Sequence, residues 1–143
     1  MGEGLVPTGE IRDVTGTPFD FREPKTIGRD IGMNYEQLDA GNGYDHNFCI
    51  NGYKKELRLA ATVTAPNGVR LDCLTDLPGM QLYVGNFLEG KIGKNNTPMD
   101  FRTGFCLETG RYPDTPNHSD FPGAYTAPGK EYISNTTFRL RVK

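Results

Sequence analysis

The chain has 143 residues, of which 36% are hydrophobic, and a formal net charge of −2. A chain of this length suits a single domain, residues 1–143, that buries roughly two thirds of the surface of the unfolded chain. The weakly negative charge, without any lysine or arginine cluster, argues against a nucleic-acid-binding protein. No apolar run approaches the length of a membrane span.

The N-terminal residues and the cysteines indicate a cellular compartment. Met1-Gly2-Glu3-Gly4 lacks the basic and apolar regions of a signal peptide, and Val6 stands where a myristoylation site needs serine or threonine. Cys49, Cys73 and Cys106 each lie in an apolar run, which predicts buried free thiols. We therefore expect a soluble, cytoplasmic protein.

The first predicted elements are a short helix and a hairpin. Asp30 to Leu38 allows a short helix, although its apolar spacing is poor. Leu57 to Val63 and Val69 to Leu74 alternate in the manner of half-buried strands. Pro66-Asn67-Gly68 between them is a turn signal, because asparagine and glycine tolerate positive φ. These segments predict an antiparallel hairpin.

Three more strands are predicted further along the chain, over Met80 to Phe87, Gly104 to Thr109 and Tyr132 to Val142. The polar segment Glu89 to Phe101 is expected to be an exposed, mobile connection. Tyr112 to His118 contains two prolines and is expected to be a loop. With so little helix, the predicted fold class is all-β, as an antiparallel β-sandwich.

Glu108 is the candidate functional residue in this pattern. It ends the run Gly104-Phe105-Cys106-Leu107, which is otherwise typical of a buried strand. A carboxylate in such a run is costly to bury unless it has partners or a chemical task. From these residues alone, a strand-end carboxylate in a salt bridge or in solvent is the favoured interpretation.

Several motifs follow one another along the chain and together resemble a known family. In chain order they are Leu5-Val6-Pro7-Thr8-Gly9-Glu10, Gly16-Thr17-Pro18-Phe19-Asp20-Phe21, Gly43-Tyr44-Asp45-His46-Asn47-Phe48, Pro78-Gly79-Met80-Gln81-Leu82-Tyr83, Gly85-Asn86-Phe87-Leu88, Gly104-Phe105-Cys106-Leu107-Glu108-Thr109, Asn117-His118-Ser119-Asp120-Phe121-Pro122 and Pro128-Gly129-Lys130-Glu131-Tyr132. As an ordered set they resemble the aldose 1-epimerase (galactose mutarotase) family over nearly the whole chain. The resemblance implies part of the large galactose mutarotase-like supersandwich, corresponding to the family's C-terminal portion.

The resemblance also implies a reaction in carbohydrate metabolism. Family members are isomerases that interconvert the α and β anomers of free aldoses, such as galactose or glucose, without a cofactor or metal. A base removes the proton of the anomeric hydroxyl and an acid protonates the ring oxygen, so that the ring opens and recloses. Glu108 matches the general base, Asp45 matches a carboxylate that hydrogen-bonds sugar hydroxyls, and Gln81 matches a polar contact at the same site.

The family's general acid has no counterpart in this sequence. By the resemblance, that acid is a histidine of the N-terminal portion. The two histidines present are His46, where a structural hydrogen bond is expected, and His118, which is expected to be an exposed loop residue. Two isolated histidines also give no metal-binding spacing. We therefore expect activity only when the N-terminal portion supplies the acid.

Part of a large sandwich is expected to expose an apolar face and open strand edges. This predicts a protein partner, either the N-terminal portion of the same enzyme or a second copy of this chain. Two alternative functions stay open at this point. One is a non-catalytic carbohydrate-binding module that keeps Asp45 and Gln81, and the other is an inactive fragment.

Overall fold

The computed structural model describes residues 6–123 and 125–142. The N-terminal segment Met1-Gly2-Glu3-Gly4 considered above lies outside the described residues. Short strands dominate the described part of the chain, which confirms the all-β class. The strands are β1 (Asp45–Cys49), β2 (Arg58–Thr64), β3 (Val69–Thr75), β4 (Gly79–Tyr83), β5 (Lys91–Ile92), β6 (Pro98–Met99), β7 (Cys106–Gly110) and β8 (Thr136–Val142).

The strands form two three-stranded sheets and a short ribbon. One sheet has the order β1-β4-β7, the other has the order β2-β3-β8, and β5 pairs with β6. The pairs β2/β3, β3/β8 and β5/β6 are antiparallel. β4 and β3 are therefore the central strands of their sheets.

The predicted hairpin is confirmed by the pairing of β2 with β3. Its register runs from Arg58 opposite Thr75 to Thr64 opposite Arg70, with one irregularity between Leu59 and Ala61. In the turn, the Val69 N–H donates to Asn67 Oδ1 at 3.1 Å. The residues of the turn thus account for the formation of this hairpin, and no distant residue is needed to explain it.

The helix is displaced from its predicted position. Helix α1 spans Glu36–Gly41, whereas the sequence predicted Asp30 to Leu38. Asp30 lies instead in a run of turns, where its carboxylate accepts a hydrogen bond from Lys25 Nζ at 2.8 Å. The backbone bonds there are those of turns, with the Met33 N–H donating to Asp30 O at 3.0 Å.

Other predictions along the chain also differ from the structure. β4 ends at Tyr83 rather than Phe87, because the chain turns at Gly85, whose φ is +74°. β8 begins at Thr136 rather than Tyr132. The connection from Glu89 to Phe101 contains β5 and β6, joined through a 3-10 turn at Lys94–Asn96. Antiparallel pairing between two-residue strands leaves almost no periodic signal in a sequence.

The chain divides into two compact units. Unit 1 comprises Met1–His46 and Leu82–Cys106, and unit 2 comprises Asn47–Gln81 and Leu107–Lys143. The buried hydrophobic side chains of unit 1 are Phe19, Leu38, Tyr44, Leu82 and Val84. Those of unit 2 are Cys73, Met80 and Phe121. The organisation of residues 1–143 as a single domain stays a prediction.

None of the three cysteines forms a disulfide bond, and only one of them is buried. Cys73 is buried, whereas Cys49 and Cys106 are exposed, which corrects the expectation of buried thiols. Cys49 is the last residue of β1, and Cys106 lies on the exposed face of β7. No helix in the described part of the chain has both the length and the apolar character needed to cross a membrane.

Candidate functional site

Glu108 lies in the middle of β7, with an exposed side chain. The sequence predicted the end of a buried strand, whereas Glu108 lies mid-strand on an exposed face; its exposure agrees with the interpretation, favoured from the residues alone, of a carboxylate in a salt bridge or in solvent. The strand continues to Gly110, and alternation places Cys106 and Glu108 on the exposed face while Leu107 on the other face is half-buried. The carboxylate is therefore accessible to a solute.

Gln81 lies on β4, which neighbours β7 in the sheet. Both Gln81 and Glu108 belong to unit 2. Alternation along β4 buries Met80 and Leu82, each with 7% of its surface exposed, and leaves Gln81 half-buried. The structure thus places two of the predicted site residues on adjacent strands of one unit.

Asp45 is the first residue of β1 and belongs to unit 1. Its half-buried side chain follows Tyr44, which is fully buried and packs edge-on against Phe19 with ring centroids 5.2 Å apart. The Tyr44 hydroxyl donates to Pro18 O at 2.9 Å, and burial raises the pKa of this hydroxyl to about 12. Asp45 therefore directly follows a residue that is closely packed against an aromatic side chain.

A helix-ending turn precedes Asp45. Asn42 adopts the left-handed conformation, its N–H bonds to Asp39 O, and the Gly43 N–H bonds to Leu38 O at 2.8 Å. This pair of bonds is a Schellman motif, which satisfies the last carbonyls of α1. The motif reverses the chain directly into β1.

His46 makes the structural hydrogen bond that the sequence predicted. Its Nδ1 accepts the Asp45 N–H at 3.1 Å, and its ring lies edge-on to Phe19 at 4.6 Å. The side chain is buried, and desolvation lowers its pKa to about 4. The imidazole is therefore neutral near pH 7.

His118 is not the exposed loop histidine that the sequence predicted. A 3-10 turn at Thr115–Asn117 folds it back, so that its ring lies 4.7 Å from the ring of Phe121. Its Nε2 is 3.4 Å from Asp114 Oδ2, and its side chain is only 21% exposed. Across the described residues, no group of three or more His, Cys, Asp or Glu side chains is arranged to hold a metal ion.

Sequence reasoning missed Asn86 as a candidate functional residue. This asparagine is buried in unit 1, and its amide bonds to the backbone on both sides of the turn that precedes Asp45. Its only signal in the sequence was its place in the motif Gly85-Asn86-Phe87-Leu88. A buried asparagine is recognised as important only when its partners are known.

The fold defines a protein of the mutarotase-like β-sandwich class. A GalM/aldose epimerase homologue from C. elegans matches it with a TM-score of 0.75 and 23% sequence identity, over 96% of this chain and 40% of that one. This match confirms the predicted fold class.

Sequence comparison then identifies the family. The family model for aldose 1-epimerase matches residues 1–139. Galactose mutarotase of Homo sapiens is 42% identical over 99% of this chain and 40% of that protein. Aldose 1-epimerase of Escherichia coli (strain K12) is 34% identical over 98% of this chain and 41% of that protein. The chain belongs to the aldose 1-epimerase family, and it spans about 40% of the length of these curated relatives.

Proposed function

We propose that this chain is the base-bearing part of an aldose 1-epimerase, which interconverts the α and β anomers of a free aldose such as galactose or glucose. Family membership and the relatives named galactose mutarotase support the reaction and the substrate class. The observation that carries the proposal is the accessible carboxylate of Glu108, which stands in the family's motif beside the strand that bears Gln81.

In the proposed reaction, Glu108 takes the proton from the anomeric hydroxyl. Asp45 accepts hydrogen bonds from other sugar hydroxyls, while the amide of Gln81 can both donate and accept them. A positioned general base contributes about 10²- to 10⁴-fold to the rate. Each of these residues keeps at least part of its side chain accessible, as contact with a sugar requires.

The general acid is proposed to come from the N-terminal portion of the same enzyme. His46 is a poor acid, because its pKa of about 4 leaves almost no imidazolium near pH 7. His118 is held against Asp114 and Phe121 in the loop that follows β7. None of the cysteines forms a disulfide bond, which agrees with a cytoplasmic location, and we propose that location as well.

An exposed apolar face in unit 2 supports a protein partner. Phe138, Leu140 and Val142 alternate along β8 with 54%, 69% and 78% of their surfaces exposed. Leu71 and Val69 of β3 lie opposite Leu140 and Val142, and both are apolar and only half-buried. Contiguous apolar surface of this kind marks interaction sites. We propose that the N-terminal portion, or a second copy of this chain, covers this face.

The proposal is tested by polarimetry of fresh α-galactose with this chain alone and with the N-terminal portion added. We expect acceleration only in the complete assembly. There, Glu108→Gln should lower kcat by about 10²- to 10⁴-fold. Glu89→Gln, which changes another exposed glutamate that lies outside the strands, serves as the control and should leave kcat unchanged.

Two results decide between the candidate functions. Equal activity of the Glu108→Gln assembly and the parent assembly would contradict the assignment of the base. Saturable sugar binding by calorimetry, without any acceleration in the complete assembly, would favour the non-catalytic carbohydrate-binding module.

A further inference from the structure

We infer that Asn86 is a positioning residue that fixes Asp45 for sugar binding. The inference rests on the proposed function, because it takes Asp45 as a sugar-binding carboxylate. It concerns contacts within unit 1 alone. The contribution of Asn86 is made through the backbone that carries Asp45 and does not require contact with the sugar.

The side-chain amide of Asn86 uses all of its polar atoms inside the protein. Asn86 is only 3% exposed, and its Nδ2 donates to Gly41 O and to Tyr44 O, both at 3.0 Å. Its Oδ1 accepts a hydrogen bond from Arg102 Nε at 3.2 Å. Carbonyls can only accept and a guanidinium can only donate, so these partners determine the orientation of the amide. No other side chain of this size offers two donors and an acceptor in the same arrangement.

The two carbonyls bound by Asn86 flank the reversal between α1 and β1. Between them lie Asn42, with φ of +50°, and Gly43, with φ of +121°. Arg102 adds a further bond, from Nη2 to Asn42 O at 2.8 Å. Asn86 and Arg102 together hold a reversal whose positive φ values are unfavourable for most residues.

The peptide unit leading into Asp45 is consequently bonded at both of its polar atoms. The Tyr44 carbonyl accepts from Asn86 Nδ2 and from the Val84 N–H at 3.2 Å. At the other end of the same planar unit, the Asp45 N–H donates to His46 Nδ1 at 3.1 Å. The direction in which the Asp45 side chain leaves the backbone is therefore held by these contacts. Binding groups need such support, since small displacements weaken their contacts strongly.

The experiment is a double-mutant cycle in the complete assembly, read out as KM for α-galactose. Asn86→Ala should raise KM about tenfold while kcat changes by less than about threefold, because the base Glu108 is untouched. In the Asp45→Ala background, Asn86→Ala should raise KM no further, since the group it positions is absent. A purely structural role would add its effect in both backgrounds.

Two further variants complete the experiment, one as a control and one as a replacement for Asn86→Ala. Asn135→Ala removes an amide that donates to Asp76 Oδ2 at 2.8 Å in unit 2, and it should leave KM unchanged in both backgrounds. If Asn86→Ala fails to fold, Arg102→Lys replaces it, because it removes the guanidinium contacts at the half-exposed side of the same network. We expect Arg102→Lys to raise KM less than tenfold and to be non-additive with Asp45→Ala in the same way.

The outcomes separate this inference from the proposed function. A raised KM in Asp45→Ala, with an additive effect of Asn86→Ala, would overturn the positioning role and leave the role of Asp45 intact. An unchanged KM in Asp45→Ala would overturn both.

Discussion

His46 and Glu108 differ in their surroundings, and the surroundings decide what each side chain can do. His46 has 8% of its surface exposed and packs against Phe19. Glu108 lies on the exposed face of β7. Burial keeps the histidine neutral and suited to accepting the Asp45 N–H, whereas exposure leaves the carboxylate available for a substrate.

We expect the stability of the protein to fall as the pH drops from about 6.5 to about 4. Burial lowers the pKa of His46 to about 4 in the folded state. In the unfolded chain this group titrates at roughly 6.5. Between these values the unfolded state binds the additional proton, so protonation favours unfolding. The loss should be on the order of 2–3 kcal/mol.

Urea unfolding at pH 7 and pH 4.5 measures this effect. In His46→Asn, whose amide oxygen can still accept the Asp45 N–H, the pH dependence over this window should be smaller by the same amount. An unaltered pH dependence in His46→Asn would exclude His46 as its origin.

At the scale of elements, the reversal between α1 and β1 depends on a close approach to Gly43. A Cβ built on Gly43 would lie 2.5 Å from Asn86 Oδ1 and 2.9 Å from Arg102 Nη2. The φ of Gly43 is +121°, which also disfavours any other residue. A side chain at this position therefore meets both backbone strain and a clash.

Gly43→Ala should lower the free energy of unfolding by about 2–4 kcal/mol, the combined effect of positive φ and overpacking. Gly16→Ala is the matched control, because Gly16 has φ of +73° but nothing within 4 Å of the added methyl group. It should lose only about 1–2 kcal/mol. Chemical denaturation of both variants gives the comparison, and equal losses would show that the contact with Asn86 contributes nothing.

The elements also differ in how well they could be predicted. The β2–β3 hairpin follows from neighbouring residues, namely alternating strands around Pro66-Asn67-Gly68. The end of β4 does not follow from neighbouring residues. It depends on the turn at Gly85 and on Asn86, whose partner carbonyls are 42 and 45 residues away in sequence. Periodicity carries no information about such distant partners.

At the scale of the whole molecule, the exposed apolar face of the β2-β3-β8 sheet should govern association. We expect the chain alone to self-associate in size-exclusion chromatography with light scattering, through Phe138, Leu140 and Val142. The double variant Leu140→Gln/Val142→Gln should shift it towards the monomer. Adding the N-terminal portion to the parent chain should replace self-association by a one-to-one complex.

Ile133→Gln is the control for this prediction. Ile133 is 71% exposed, as much as Leu140, but it lies outside the strands. Its substitution should leave the association of the chain unchanged. A well-folded monomer of the parent chain at working concentration would contradict the prediction.

The sequence by itself determined the all-β class, the hairpin and the family, and it supplied the candidates Glu108, Asp45 and Gln81, whose roles stay predictions. These depend on residue types and their order along the chain. Only the tertiary structure decided that Glu108 is exposed in mid-strand, that Cys49 and Cys106 are accessible, and that Asn86 binds the backbone before Asp45. The physical reason is that burial and long-range hydrogen bonds depend on which distant segments meet in the folded chain.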